Sequence, residues 1–353
     1  MAIKDINDAG GVMVQQYGKK IPLEMKLLDD ASDPTKTVSN LETLNSDDHV
    51  VAYLGGFGSD LHVAAAPIAE KNKIPYLGVA FALYSVHQKG YKYLFSPFPK
   101  SPALAKAVFD MLDTLPSDQK PSKVAILAET GDWGDEMTDL WTKEASARGY
   151  TIVATERYTP GAKDYSDSIT KIKNAGAEVL LGLPTPPDGV AIAKQMGELG
   201  YTPKFTMLIR APDVPTWPKD TGAIGDYVTN APGWFNAMKF PGVDQLNKEH
   251  EALPDVTPSR PADPIVGPAY ACIQILAAAI EKAGSLDHDA IRDAIAATDM
   301  DTVVGHVTFN ADGTGNVPVA ILQYQQGKVQ EVWPPEFKTA DLVYPAPPLD
   351  QRK

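Results

Sequence analysis

The feature that most constrains this chain is a repeated alternation of short apolar runs with longer amphipathic stretches. Val124-Ala125-Ile126-Leu127-Ala128 and Val179-Leu180-Leu181-Gly182-Leu183 have no polar residue at any position. A strand with one face in water reads apolar, polar, apolar. A strand covered on both faces does not, and that is the condition of a parallel sheet wrapped in helices. Short runs, several of them of this kind, predict strands at Leu23–Leu28, Val50–Leu54, Tyr76–Val79, Val124–Leu127, Ile152–Thr155, Val179–Leu183 and Phe205–Ile209. Between them, helical patterns cover Leu61–Lys71, Ala103–Leu115, Asp135–Arg148, Asp164–Asn174 and Gly189–Leu199. The segment Asp135–Arg148 opens on acids, closes on Lys143 and Arg148 and stops at Gly149. That order suits the helix dipole and the preferred C-terminal cap.

Repeated strand–helix–strand units imply right-handed crossovers and doubly wound sheets, an α/β architecture. Two sheets are expected, over residues 20–95 and 120–230, which suits a length of 353 residues, about two domains. The Pro-rich connector Ser96–Pro102 separates them, and a second irregular stretch surrounds Asn230–Gly233. Helices Pro264–Ala283 and His288–Thr298 follow, then the turn-rich Asn310–Asn316 and a Pro-rich tail, Glu331–Leu349, expected to wrap the surface. The chain opens on a helical Ala2–Ile6 with no strand before it and no visible signal peptide. This reads as the absence of an upstream strand–loop–helix piece of roughly 30 residues; the alternative is a fold that begins on a helix.

Acidic residues outnumber basic ones, 45 to 32, for a net charge of −13. With no basic stripe, such a surface repels phosphate backbones, so a nucleic-acid partner is not expected. The longest apolar stretch, around Ile273–Ile280, is far below the ~18 residues of a membrane span. The single Cys272 lies in an apolar helical run and reads as a buried small side chain. The six histidines are scattered, no Gly-x-Ser-x-Gly occurs, and Asp29-Asp30 and Asp47-Asp48 are adjacent pairs without helical spacing. Catalysis, a metal and a cofactor are therefore not expected.

Ligands of open α/β sheets bind beyond the carboxyl ends of the strands. Gly55-Gly56-Phe57-Gly58-Ser59-Asp60 follows one strand. Its glycines permit close backbone approach, while Ser59 or Asp60 either caps the next helix or leaves its N–H groups for a carboxylate. A nucleotide fingerprint is incomplete, because Leu61 stands where a third glycine belongs. Ala80-Phe81-Ala82-Leu83-Tyr84 follows another strand, and Trp133 lies on a loop between Gly131 and Gly134. Arg210, just past Phe205–Ile209, can grip a carboxylate bidentately or sit in an ordinary ion pair. Phe81, Tyr84 and Trp133 offer aromatic walls, whereas Trp234 and Phe235 serve interdomain packing equally well.

An ordered series of motifs then resembles one family. Ala2-Ile3-Lys4-Asp5-Ile6-Asn7-Asp8-Ala9-Gly10-Gly11, Asp29-Asp30-Ala31-Ser32-Asp33-Pro34, Gly55–Ser59 and Ala65-Ala66-Pro67-Ile68-Ala69-Glu70 come first. Asp132-Trp133-Gly134, Asp164-Tyr165-Ser166 and Gly305–Gly313 continue it. Together they resemble the branched-chain amino-acid (Leu/Ile/Val) binding proteins of ABC transporters, type I periplasmic binding proteins. The resemblance implies two doubly wound parallel-sheet lobes joined by a three-crossover hinge and closing on a small ligand. The lobes would be 1–101 with 233–311, and 102–232 with 312–353. It further implies a periplasmic location and an ABC transporter permease as partner. By position, Ser59 matches the serine that bonds the ligand carboxylate. Ala80 and Ala82 match a loop offering backbone groups and a Thr hydroxyl, which Ala82 lacks. Trp133 stands at an aromatic position, and Thr185 lies within a residue of another. Arg210 stands near the family's acidic residue for an ammonium group, and a cation there favours a small carboxylate without an α-amino group, aromatic in view of Phe81 and Trp133. The alternatives are an amino-acid binding protein and a ligand-sensing receptor domain on the same fold.

Overall fold

Apolar runs become strands and capped amphipathic runs become helices, in the order read from the sequence. The first hundred residues hold α1 (Ala2–Asp8), the hairpin β1 (Val12–Val14) and β2 (Lys19–Ile21), α2 (Pro34–Ser46), β3 (Tyr53–Leu54), α3 (Ser59–Asn72), β4 (Tyr76–Leu77) and β5 (Leu94–Phe95). Next come α4 (Ser101–Asp113), β6 (Lys123–Glu129), α5 (Asp132–Ala147), β7 (Thr151–Tyr158), α6 (Ser166–Asn174) and β8 (Val179–Gly182). They are followed by α7 (Pro186–Glu198), β9 (Phe205–Leu208), α8 (Trp217–Thr221) and β10 (Val228–Asn230). The chain continues through α9 (Val243–Glu251), α10 (Val266–Ala283), α11 (His288–Ala296) and the hairpin β11 (Asp299–Thr302) and β12 (Gly305–Thr308). It ends with β13 (Ile321–Gln325) and β14 (Lys328–Trp333).

The computed structural model describes residues 1–352. They form two units, Met1–Lys100 with Met238–Pro318, and Ser101–Ala237 with the chain from Val319 onward. In the second unit a seven-stranded sheet runs β14-β13-β10-β9-β8-β6-β7. The five strands from β10 to β7 are parallel, while β13 and β14 add antiparallel at one edge. Strand order reverses at β6, which pairs with β7 on one side and β8 on the other, so the ligand crevice of such a sheet opens at its carboxyl end. Val124–Ala128 are fully buried, each large side chain contributing about 1.5–3 kcal/mol. Leu127, Leu180, Ile169, Ile172, Ile192 and Met196 share one core cluster.

The first unit holds a parallel three-stranded sheet, β3-β4-β5, and two separate hairpins. Helix α2 starts where Asp33 accepts hydrogen bonds from the backbone N–H groups of Thr35 and Lys36, with Pro34 in the first helical turn. The long α10 buries Ala271, Cys272, Ile275 and Leu276. Burial pushes the Cys272 thiol up to about 12, which keeps it an unreactive packing group.

Four expectations change. Leu23–Leu28 makes no strand: no described segment pairs with it, and Leu27 is 82% exposed. Its backbone is held by a side chain at one end instead of by a ladder: the Leu23 N–H donates to Asn7 Oδ1, and the Asn7 amide donates to the Leu23 carbonyl. The tail does not only wrap the surface, because Glu331–Trp333 belong to β14. Trp133 lies in the first turn of α5 rather than on a loop. The chain passes between units after residues 100, 237 and 318, against an expected 101, 232 and 311. The turn at 312–315 stays with the first unit because Ser96 N–H donates to the Gly313 carbonyl and Gly315 N–H to the Ser96 carbonyl.

Candidate functional site

In the second unit, side chains gather at the carboxyl ends of the parallel strands. Glu129 is the last residue of β6, Tyr158 the last of β7 and Asn230 the last of β10, while Arg210 lies two residues beyond β9. The Arg210 guanidinium forms an ion pair with the Glu129 carboxylate, their side chains 12% and 10% exposed. Its carbon also lies 4.8 Å from the centre of the Trp133 ring, a cation–π contact that gains as water is excluded. Trp133 is fixed in turn by its indole N–H, which donates to Ser101 Oγ at 3.1 Å. Helix α5 approaches β6 so closely that a Cβ on Gly134 would meet the Glu129 carbonyl oxygen at 1.9 Å. Three buried polar atoms here have no hydrogen-bond partner: Arg210 Nε, Tyr158 Oη and Asn230 Oδ1. Asn230 donates from its amide to Asp213, whose carboxyl is pushed up to about 7 by burial, against the opposing pull of Asn230 and Arg210.

Thr185 caps α7 at the end of β8, but its hydroxyl is committed, donating to Asp188 at 2.9 Å. Asp188 also accepts from the Gly161 N–H and the Tyr165 hydroxyl. This carboxylate ties the loop after β7 to the first turn of α7.

In the first unit, α3 begins directly after β3. Gly58, at φ +109°, precedes it and supplies no side-chain cap, so first-turn N–H groups beside the buried Ser59 remain available to an acceptor. The expected capping by Ser59 or Asp60 does not occur; Ser59 is the first helical residue. Ala80 pairs with Phe57 in a parallel bridge across the same loops, and Ala80 and Ala82 are buried. Phe81 serves packing. It stacks on His62 at 4.2 Å and on His87 at 5.4 Å, and Lys100 Nζ lies 3.5 Å from its ring centre. Lys100 donates to the Phe81 carbonyl and to Ser96 Oγ. Burial, with the Lys100 charge adding to it, pushes both imidazoles down to about 3, so they are neutral. Their Nδ1 atoms face the carbonyls of Gly58 and Asp312 and so carry the protons. Tyr84 donates to Asp312.

The structure thus gathers Trp133 and Arg210 in one unit and Ser59, Ala80 and Ala82 in the other, and turns Phe81 and the Thr185 hydroxyl to internal contacts. Sequence reasoning gave Glu129, Tyr158 and Lys100 no role. The signal for Glu129 is a charged residue directly after the apolar run Val124–Ala128. Of the two readings of Arg210, a grip on a ligand carboxylate and an ordinary ion pair, the ion pair is present, with Glu129, and it removes the basis for excluding an ammonium group.

Residues 1–328 match the family model of the periplasmic binding proteins. The chain belongs to the periplasmic binding protein family. Members are solute-binding components of transporters, not enzymes. It is 24% identical over 365 residues to the Leu/Ile/Val-binding protein homolog 7 of Brucella suis, covering 98% of this chain and 88% of that one. The branched-chain amino-acid substrate-binding protein LivJ of Streptococcus pneumoniae, solved with isoleucine, superposes with a TM-score of 0.81 at 19% identity, over 98% of this chain and 92% of the other. A solute-binding protein of R. palustris, solved with benzoate, superposes with a TM-score of 0.79 at 15% identity, over 97% and 92%. The fold is that of type I periplasmic binding proteins: α/β, with mainly parallel sheets covered by helices.

Proposed function

We propose that this chain is the extracytoplasmic, periplasmic solute-binding protein of an ABC importer, that it delivers its solute to a permease, and that the solute is a small organic carboxylate. The observation that carries the reading is the start of α3. An uncapped 14-residue helix presents its N–H groups and the buried Ser59 at the carboxyl end of a parallel strand, where the helix dipole and free donors favour an anion. The benzoate in the R. palustris relative's structure makes an aromatic acid the first such carboxylate to test. A specific observation favours a second reading. Glu129, beside Arg210, provides a carboxylate for an ammonium group, and the Brucella relatives are named for Leu/Ile/Val binding. Calorimetric titration with benzoate and with leucine separates the two. Benzoate binding supports the first; tight binding of leucine alone contradicts it and leaves the amino-acid reading.

A further inference from the structure

The first unit carries an open cleft of about 650 Å3 between β5, α11 and the turn at Asn310–Gly313. Pockets for small organic ligands have volumes of ~300–1,000 Å3. Its floor is apolar: Leu94 and Phe95 come from β5, and Phe309 stands edge-on to Phe95 with ring centres 5.4 Å apart. Phe309 and Tyr91 line the cleft half-buried, so each keeps aromatic surface open. One wall is α11. The Tyr93 hydroxyl donates to Asp289 and ties this helix to the start of β5. One turn further on, the Arg292 guanidinium lies 5.2 Å from the centre of the Tyr93 ring, with 21% of its side chain exposed. It makes no hydrogen bond with any of the described residues. Asp293 approaches Arg292 Nε at 2.8 Å, but without hydrogen-bond geometry, and its own side chain is 71% exposed. So exposed a pair contributes ~0–1 kcal/mol and yields to a better-aligned acceptor. Lys92 lines the cleft too, exposed and in no ion pair among the described residues. The other carboxylate here, Asp312, is occupied: it accepts from the Tyr84 hydroxyl and from the N–H and hydroxyl of Thr314. Two cations thus face two carboxylates, with His87 neutral. That balance suits one anionic group and disfavours a polyanion such as a nucleoside triphosphate.

We propose that this cleft is an accessory binding site, contained within the first unit, for a monocarboxylate with an aromatic body. The carboxylate takes the unspent donors of Arg292, whose planar fork matches it, and the rings lie against Phe95 and Phe309. The site shares no residue with the start of α3, so it stands apart from the reading above.

Calorimetric titration of biphenyl-4-carboxylate into the wild type, Arg292→Gln and Ala296→Glu tests it. Ala296 is exposed, lines the cleft and stands four residues after Arg292. A glutamate there brings an internal carboxylate to the guanidinium without touching the core, which keeps the test open if Arg292→Gln folds poorly. The expected result is binding to the wild type and an affinity lower by about tenfold or more in both variants, the size of a lost hydrogen bond to a charged group. Biphenyl-4-carboxamide, without the charge, should bind the wild type more weakly by a similar factor. No binding of the acid to the wild type, undiminished binding to Ala296→Glu, or equal affinity for the carboxamide overturns the proposal. The variant Ser59→Ala separates the two sites and should bind the biphenyl acid as the wild type does. A loss there, with none in the cleft variants, puts the acid at the start of α3; it overturns the accessory site and supports the carboxylate reading.

Discussion

At the scale of single residues, the second unit's site depends on a close approach that one methyl group would block. A Cβ on Gly134 would stand 1.9 Å from the Glu129 carbonyl, and backbone cannot yield as a flexible side chain does. Gly134→Ala is expected to cost ~1–3 kcal/mol through overpacking, read as a lower midpoint of thermal unfolding, and to move Trp133 away from Arg210. On the ligand side, Ser59→Ala removes one hydroxyl from the start of α3. Carboxylate affinity should then fall by ~1.5–3 kcal/mol if the hydroxyl bonds the charged group, measured by calorimetry; unchanged affinity removes Ser59 from the site. Arg210→Ala is a less clean probe than the sequence suggested, because it leaves Glu129 enclosed without its partner. Breaking such a pair costs ~3–5 kcal/mol of stability.

At the scale of elements, one carboxylate organises the end of the second unit's sheet. Asp188, in the first turn of α7, holds the Gly161 N–H, the Tyr165 hydroxyl and the Thr185 hydroxyl. Asp188→Asn replaces an acceptor of three bonds by a group with one oxygen, so faster amide exchange is expected at Gly161, with the strands beneath unchanged. Most of these elements were legible because their physics is local. Fully apolar runs mark β6 and β8, a nearly apolar one marks β9, and charge order with a terminal glycine marks most of α5. What stayed hidden depends on tertiary pairing. The ladder of β13 and β14 forms because β10 offers an edge, and nothing in the Pro-rich tail announces that edge. Leu23–Leu28 carries the composition of a strand, but no described strand pairs with it. Which carboxylate Arg210 pairs with is hidden for the same reason: Glu129 is 81 residues away, and no spacing rule links the ends of β6 and β9.

At the scale of the whole molecule, stability is linked to pH from opposite directions in the two units. In the first unit, His62 and His87 are pushed down to about 3 from 6.5. Below pH 6.5 the unfolded chain takes up protons that the native histidines refuse, so stability falls as pH drops from 6.5 toward 3, by about 1.4 kcal/mol per pH unit for each group. In the second unit the Glu331 side chain is fully buried, its two oxygens have no hydrogen-bond partner, and burial, with a smaller contribution from Glu336, raises it to about 8 from 4.5. Between those values the native group keeps a proton that the unfolded chain has lost, so stability falls as pH rises from 4.5 to 8 and then levels. Glu331→Gln should therefore flatten the alkaline side of a plot of unfolding free energy against pH and leave the acid side intact. An unchanged alkaline slope removes Glu331 from this role.

The central claim is that this protein holds a small carboxylate and returns it unaltered. Native mass spectrometry of the protein with an equimolar mixture of organic acids, amino acids, sugars and nucleotides tests it most directly. The expected spectrum shows one adduct per chain with the mass of a carboxylate, the released molecule having the mass it had before binding. Adducts with sugars or nucleotides alone, no adduct at all, or a released molecule of changed mass would contradict it.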